Sequence, residues 1–321
     1  MKYKIKKIFF FSNHISFLST LLFFLFFIGS KGNLISNQNQ KIQMIISGNG
    51  TQRILGDKFP YKNFEVLING EKNESCNKIC DLTEESNNIT IIFNETIESC
   101  YAMFSEAKNI IELDLSNFDI SFVTDMTGIF HNCSLLKSIN LANINTSNVK
   151  LMNYSFFGCR SLESIDLSNF DTSNVIDMKN MFKKCGNLKF INLSHLNMSL
   201  VEDISSMFYG CFNLESVHFP DLAPLNLKDF NQLFYKCNNL NSIISNFDTS
   251  NIKNFSRIFY GCHSLKNLDL SNFNTSNAID MHEMFAYCLN LESLNISKFD
   301  TSLVINLTAM FCECKSLQSI D

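Results

Sequence analysis

A phenylalanine three residues ahead of a small, usually cysteine, position returns along most of this chain at Phe104, Phe130, Phe156, Phe182, Phe208, Phe234, Phe259, Phe285 and Phe311. The spacing is 26 residues in every interval but one, which is 25. A period that strict marks a solenoid, in which each repeat is one unit that buries its apolar face only against its neighbours. One full copy, Leu162 to Cys185, reads LESIDLSNFDTSNVIDMKNMFKKC.

The columns that stay apolar give the interior of a coil: Leu162, Ile165, Leu167, Phe170, Val175, Met178, Met181, Phe182 and Cys185. Ile165 and Leu167 alternate with polar residues, as a short half-buried strand does. Met178, Met181, Phe182 and Cys185 fall at i, i+3, i+4 and i+7, the apolar stripe of a short helix. Asp125, Asp177, Asp203, Asp229, Asn254, Asp280 and Asn306 precede that stripe and are read as helix N-caps, with Leu151 the exception. One coil buries too little to offset the ordering of its own backbone, so the coils must stack. The expected fold is an α/β repeat solenoid, leucine-rich-repeat-like, with a parallel sheet on one face, short helices on the other and a small β N-terminal cap.

The expected organisation has three parts. Residues 1–30 carry Lys2, Lys4, Lys6 and Lys7 before the apolar run Ile15–Ile28 and the small Gly29 and Ser30, the layout of a signal peptide, with a signal anchor as the alternative. Its removal would take the net charge from −5 to −9, which argues against nucleic acid or an anionic membrane as partner. Residues 31–98 hold three β-favouring runs, KIQMIIS, FEVLING and NITIIF, with turn signals at Gly48-Asn49-Gly50 and Asn69-Gly70; they are placed to cap the first coil. Residues 99–321 are about nine coils. The last breaks off in its strand at Ile320-Asp321, so either the chain is truncated or another element covers that end.

Cys133, Cys159, Cys185, Cys211, Cys237, Cys262, Cys288 and Cys314 share one column. Neighbouring rungs would stand near disulfide spacing, yet an apolar column in which Ala107 replaces one member suits buried free thiols. Cys76 and Cys80 are the better disulfide candidates. His131, His195, His218, His263 and His282 fall at different columns, and no nucleophile, acid–base pair, metal cluster or phosphate loop emerges, so neither enzyme activity nor a cofactor is expected. Thirteen N-x-S/T sequons are present, most of them products of the repeat.

The copies LESIDLSNFDTSNVIDMKNMFKKC and SLKNLDLSNFNTSNAIDMHEMFAYC resemble the BspA-like leucine-rich repeats of surface proteins, over roughly residues 99–321. The resemblance implies a secreted or cell-surface protein that adheres to or binds extracellular proteins, and it supplies no catalytic residues. A passive coat protein without a specific ligand is the alternative. A membrane would be met only through an unremoved N-terminal anchor or a C-terminal segment beyond Asp321.

Two sets of residues are candidates for partner contact. One is the polar column between the inward strand positions: Asp114, Asn140, Asp166, Asn192, His218, Asp269, Asn295 and Asp321. The other is the irregular coil after His218, which has FPDLAPLNL in place of LSNFDTSNV; Pro220 and Pro224 remove backbone donors there, and the next coil is one residue short near Ile243. Phe219, Pro220, Leu222 and Ile244 are expected to make an apolar patch at that break.

Overall fold

The computed structural model describes residues 40–220, 226–244 and 248–321; the expected signal segment lies outside them. In chain order the first strands are β1 (Gln40–Ser47), β2 (Gly50–Arg53), β3 (Phe64–Ile68), β4 (Glu71–Lys72), β5 (Ile79–Leu82) and β6 (Ser86–Phe93). The repeats contribute β7 (Ile110–Asn117), β8 (Ser138–Asn140), β9 (Phe190–Asn192), β10 (Ser216–His218), β11 (Ser242–Ile244), β12 (Asn267–Asp269), β13 (Ser293–Asn295) and β14 (Ser319–Ile320).

The cap is antiparallel. Asn69 (φ 51°) and Gly70 (φ 91°) are both left-handed, as a two-residue turn between β3 and β4 requires. β1 pairs β6 on one side and β7 of the first coil on the other, while β7 pairs β8 in parallel, so cap and solenoid share one sheet of order β4-β3-β6-β1-β7-β8. The edge that β7 would otherwise expose is thereby paired. Phe93 of the cap packs on Phe59 and on Phe118 of the first coil at 5.9 and 5.5 Å. Cys76 and Cys80 form a disulfide.

The expected helices do not exist: among the described residues every element is a strand or a turn, and the fold is a β-solenoid of parallel coils. The segment DMKNMFKKC shows why. Asn180 (φ 56°) and Lys184 (φ 63°) are left-handed, so the chain makes tandem turns, Met178 O to Met181 N and Phe182 O to Cys185 N, that no helix can continue. The intervening N–H groups of Met178, Asn180, Phe182 and Lys184 donate to Asp203, Ser205, Met207 and Tyr209 of the next coil at 2.7–3.0 Å. The same two positions have positive φ in all nine coils, from Ala102 and Glu106 to Ala309 and Glu313. Tandem turns of this kind point residues i, i+3, i+4 and i+7 inward, the same set as a helix. Stacking decides between them. Helices pack about 8–10 Å apart and strands about 4.8 Å apart, and the phenylalanine rings stack at 5.1 to 5.9 Å between coils from Phe104 to Phe311. A turn layer keeps the rise equal on both faces.

The residues read as N-caps also change role. Ser99, Asp125, Leu151, Asp177, Asp203, Asp229, Asn254, Asp280 and Asn306 form a continuous column of parallel bridges. The capping chemistry survives in another form: Oδ1 of Asp177 accepts from the backbone N–H of Lys179 two residues on (2.8 Å), and Asp125, Asp203, Asp229, Asn254, Asp280 and Asn306 do likewise. The cysteine column is one of free thiols, each donating to the carbonyl of the phenylalanine one coil back, as Cys185 does to Phe156 at 3.0 Å. Burial pushes these thiols far above the ordinary value.

Candidate functional site

The polar column on the strand face is occupied by structure. Oδ1 of Asp114, Asn140, Asp166, Asn192, Asp269 and Asn295 each accepts the backbone N–H two residues later, at 2.9 to 3.2 Å, closing an Asx turn, which at Asn140, Asn192, Asp269 and Asn295 ends the strand. Aspartate and asparagine do this equally well, which explains why they interchange along the column. The backbone N–H groups of Ser168 and Ser271 hold the carboxyls of Asp166 and Asp269 below the usual carboxylate range; for Asp114, burial opposes the same effect of Ser116 without overcoming it. At His218 the column is interrupted, and the carbonyl of that residue accepts from Leu193 at 2.7 Å. A third turn column, from Asp119 and Asn145 to Asn274 and Asp300, repeats the chemistry. Asn145, Asn192, Asn197, Asn254, Asn274, Asn295 and Asn306 are thus both sequon residues and Asx-turn residues: the N-x-S/T pattern here is a turn signature.

The irregular coil does not form the expected apolar patch from Phe219. That ring is fully buried, edge-on to Phe208 and Phe234 at 6.1 and 6.3 Å, and Pro220 is buried too. Leu222 lies outside the described residues. Ile244 pairs in register with His218, so β10 and β11 keep the 26-residue step and the strand faces do not swap. The bridge from Asp229 to Asn254 already spans 25, and Asp248 resumes the Asx column. The missing residue therefore falls between Ile244 and Asp248.

The turn face is different in kind. The eight-residue segments 127–134, 153–160, 179–186, 205–212, 231–238 and 256–263 contain no Asp or Glu, although acids outnumber Lys and Arg by 31 to 26 over the whole chain. They carry Arg160, Lys179, Lys183, Lys184, Lys236 and Arg257. Lys179 reaches Asp203 at 3.4 Å and Arg257 reaches Glu283 at 2.5 Å; among the described residues Arg160, Lys183, Lys184 and Lys236 have no carboxylate partner. Burial first, then Lys184 and Lys179, pushes the Lys183 ammonium below the usual lysine value.

Aromatic rings interleave with these cations. Tyr209, Tyr235 and Tyr260 stack across coils at 4.4 and 4.5 Å, Tyr287 follows at 5.2 Å, and His131 stacks on Phe157 at 4.7 Å. Lys183 lies 4.2 Å from the Tyr209 ring centre, and Lys184 and Lys236 lie 5.5 Å from those of Phe157 and Tyr235. Gly210 and Gly261 sit beside the stems of Lys184 and Lys236, where a Cβ would stand in ordinary contact at 3.8 and 3.4 Å from the lysine Cγ atoms, so it is their φ of 71° and 72° that favours glycine. Towards the cap the same face opens into a cleft of about 480 Å³ lined by Asp57, Lys58, Glu106, His131 and Tyr154, where carboxylates reappear.

Residues 98–218 and 226–321 match the family described as Mycoplasma protein of unknown function, DUF285. The chain belongs to this family. No curated protein matches it. The break between the two DUF285 matches, 219–225, falls on the coil where Phe219 and Pro220 leave the repeat pattern. The turn face was readable in principle: MFKKC, MFYGC, LFYKC and IFYGC place Lys, Tyr and Gly side by side, a signal that an assigned helix obscures.

Proposed function

We propose that this DUF285 solenoid is an exported binding module of the BspA-like leucine-rich-repeat surface-protein class, which adheres to an extracellular or cell-surface partner. The turn face carries this reading: a continuous row of half-exposed rings and lysines without carboxylate partners is more than stacking requires. The lysine-led apolar N-terminus supports export. The partner is outside the cell, and the chemistry is recognition without turnover.

The reading of a passive surface coat rests on a specific observation too, since the polar strand column has a structural use of its own, Oδ1 of Asp166 and Asp269 each closing an Asx turn. Titrating labelled full chain onto intact cells separates the two. A saturable isotherm, competed by unlabelled chain and weakened by substitutions at Lys183, Lys184 and Lys236, is expected. Linear, uncompeted uptake would favour the coat.

A further inference from the structure

The chemistry of the turn face identifies its partner more closely than adhesion alone. The cations run from Arg160 to Arg257 over five consecutive coils, roughly 20 Å at the strand spacing. Acids flank the row, with Asp57 and Glu106 by the cap and Glu283 and Glu313 beyond, and within it Asp203 pairs with Lys179. The cations are unevenly placed, with Arg160 in one coil, Lys179, Lys183 and Lys184 in the next, none in 205–212, then Lys236 and Arg257, so that Lys184 and Lys236 stand two coils, about 10 Å, apart along the solenoid axis. An elongated strip of positive charge complements an extended polyanion laid along it. The tyrosines narrow the class further. Their faces are stacked on one another, so what they offer outward is ring edges and hydroxyls, positive and hydrogen-bonding respectively. Single-stranded nucleic acid is held by stacking bases on free ring faces, which this ladder does not provide.

We propose that the turn face binds an extended anionic polysaccharide lying along the solenoid axis, its acidic groups on Arg160, Lys183, Lys184 and Lys236 and its hydroxyls on the edges of Tyr209, Tyr235 and Tyr260. The mutual repulsion of Lys179, Lys183 and Lys184 within one coil is relieved when a polyanion settles between them. This rests on the adhesion reading only for the export that would bring the face to such a polymer.

The test is a titration of the full chain with a fluorescent heparin octasaccharide at low and physiological salt, beside neutral dextran, poly-glutamate and an oligo-dT of matched charge. Saturable, salt-weakened binding to heparin is expected, with dextran inert and the other two weaker. The triple variant Lys183→Gln/Lys184→Gln/Lys236→Gln should lose about tenfold to a hundredfold in affinity at an unchanged melting temperature. The triple Lys137→Gln/Lys266→Gln/Lys298→Gln, which removes the same charge from exposed sites elsewhere, should bind as the unmodified chain does. No saturable binding, equal losses in the two triples, or oligo-dT or poly-glutamate binding as tightly as heparin would each overturn the proposal. A chain that holds heparin through these lysines yet binds no cell would sink the adhesion reading and leave this one standing; saturable cell binding by a chain that does not bind heparin would do the reverse.

Discussion

The two faces of each coil meet the same stacking problem with unequal tolerance. On the turn face the bridge column runs unbroken from Ser99 to Asn306, and the phenylalanine stack beneath it runs from Phe104 to Phe311. On the strand face the pairing lapses around Ser164–Asp166 and again between β11 and β12. Where β11 and β12 do not pair, a cavity of about 50 Å³ is lined by Ile243, Phe259, Leu268 and Leu270. The turn face therefore sets the period, and the three-residue strands follow it. In a turn layer every second N–H reaches the next coil and every second one closes a turn, so an inserted or deleted residue would misplace both sets.

The largest test of that inequality is in the core beneath each face. Phe182→Ala, fully buried in the ring stack, should destabilise by about 3–5 kcal/mol. Ile165→Ala, half-buried under a coil with no formed strand, should cost about 1–2 kcal/mol. Denaturant midpoints measure both, and equal costs would break the comparison. Phe311→Ala, with a ring neighbour on one side only and partly exposed, should fall between them.

Next in size is the cysteine column. Cys185→Ala removes a buried sulfur and its bond to Phe156 and should cost about 1–2 kcal/mol. A thiol reagent should label Cys312, which is exposed, within minutes, and leave the fully buried Cys100, Cys133, Cys159, Cys185, Cys211, Cys237 and Cys262 unlabelled until the chain unfolds. Native labelling at the column would show the turn face to be looser than its hydrogen bonds imply.

Much of this fold was legible in the residues, because burial leaves a periodic trace. The 26-residue step, the inward columns, the cap runs within β1, β3 and β6, the Asn69-Gly70 turn, the free thiol column and the Cys76–Cys80 bond all follow from apolarity, turn chemistry or spacing. The helix did not, since Met178, Met181, Phe182 and Cys185 make the same stripe on a helix or on tandem turns. The distinguishing signal sits at the left-handed positions, where Gly128, Asn132, Gly158, Asn180, Gly210 and Gly261 are residues that accept positive φ. It is diluted by Lys184, Gln232, Lys236, Arg257 and Glu283, which hold the same conformation because the stack imposes it. The Asx turns of the polar column were not legible either: Asp166 and Asp269 read as surface carboxylates, and only the backbone shows that Ser168 and Ser271 donate to one oxygen of each.

The left-handed lysines sharpen the comparison, because on this reading they trade stability for binding. A non-glycine residue at such a φ is strained, and glycine stands at the equivalent positions 158, 210 and 261. Lys184→Gly should raise stability by about 0.5–1 kcal/mol while weakening heparin binding severalfold. A drop in melting temperature would mean that Lys184 is held for its packing over Gly210, and the assignment of strain would fail.

The smallest effect separates the two acid columns by pH. Burial lifts the carboxyls of Asp177 and Asp229 above their usual value, with Asp203 adding to it, whereas the Ser173 and Ser250 hydroxyl and backbone donors lower Asp171 and Asp248. A raised folded value means that the contribution of Asp177 and Asp229 is fully present below the unfolded carboxylate pKa and is lost as pH rises through the folded one, so both charges are unfavourable at neutral pH. Asp171 and Asp248 behave oppositely: their contribution is present above the unfolded value and disappears as pH falls through the folded one. Asp177→Asn keeps the cap that Asn254 and Asn306 already make in the same column. It should therefore stabilise at pH 7 by roughly half a kcal/mol once solvent screening is counted, and the gain should vanish below about pH 4. Asp171→Asn should destabilise slightly at pH 7 and become neutral in acid. Parallel pH profiles for the two variants would show that the bridge column is no drier than the third turn column, which holds Asp171 and Asp248, and that the turn face owes its regularity to ring stacking alone.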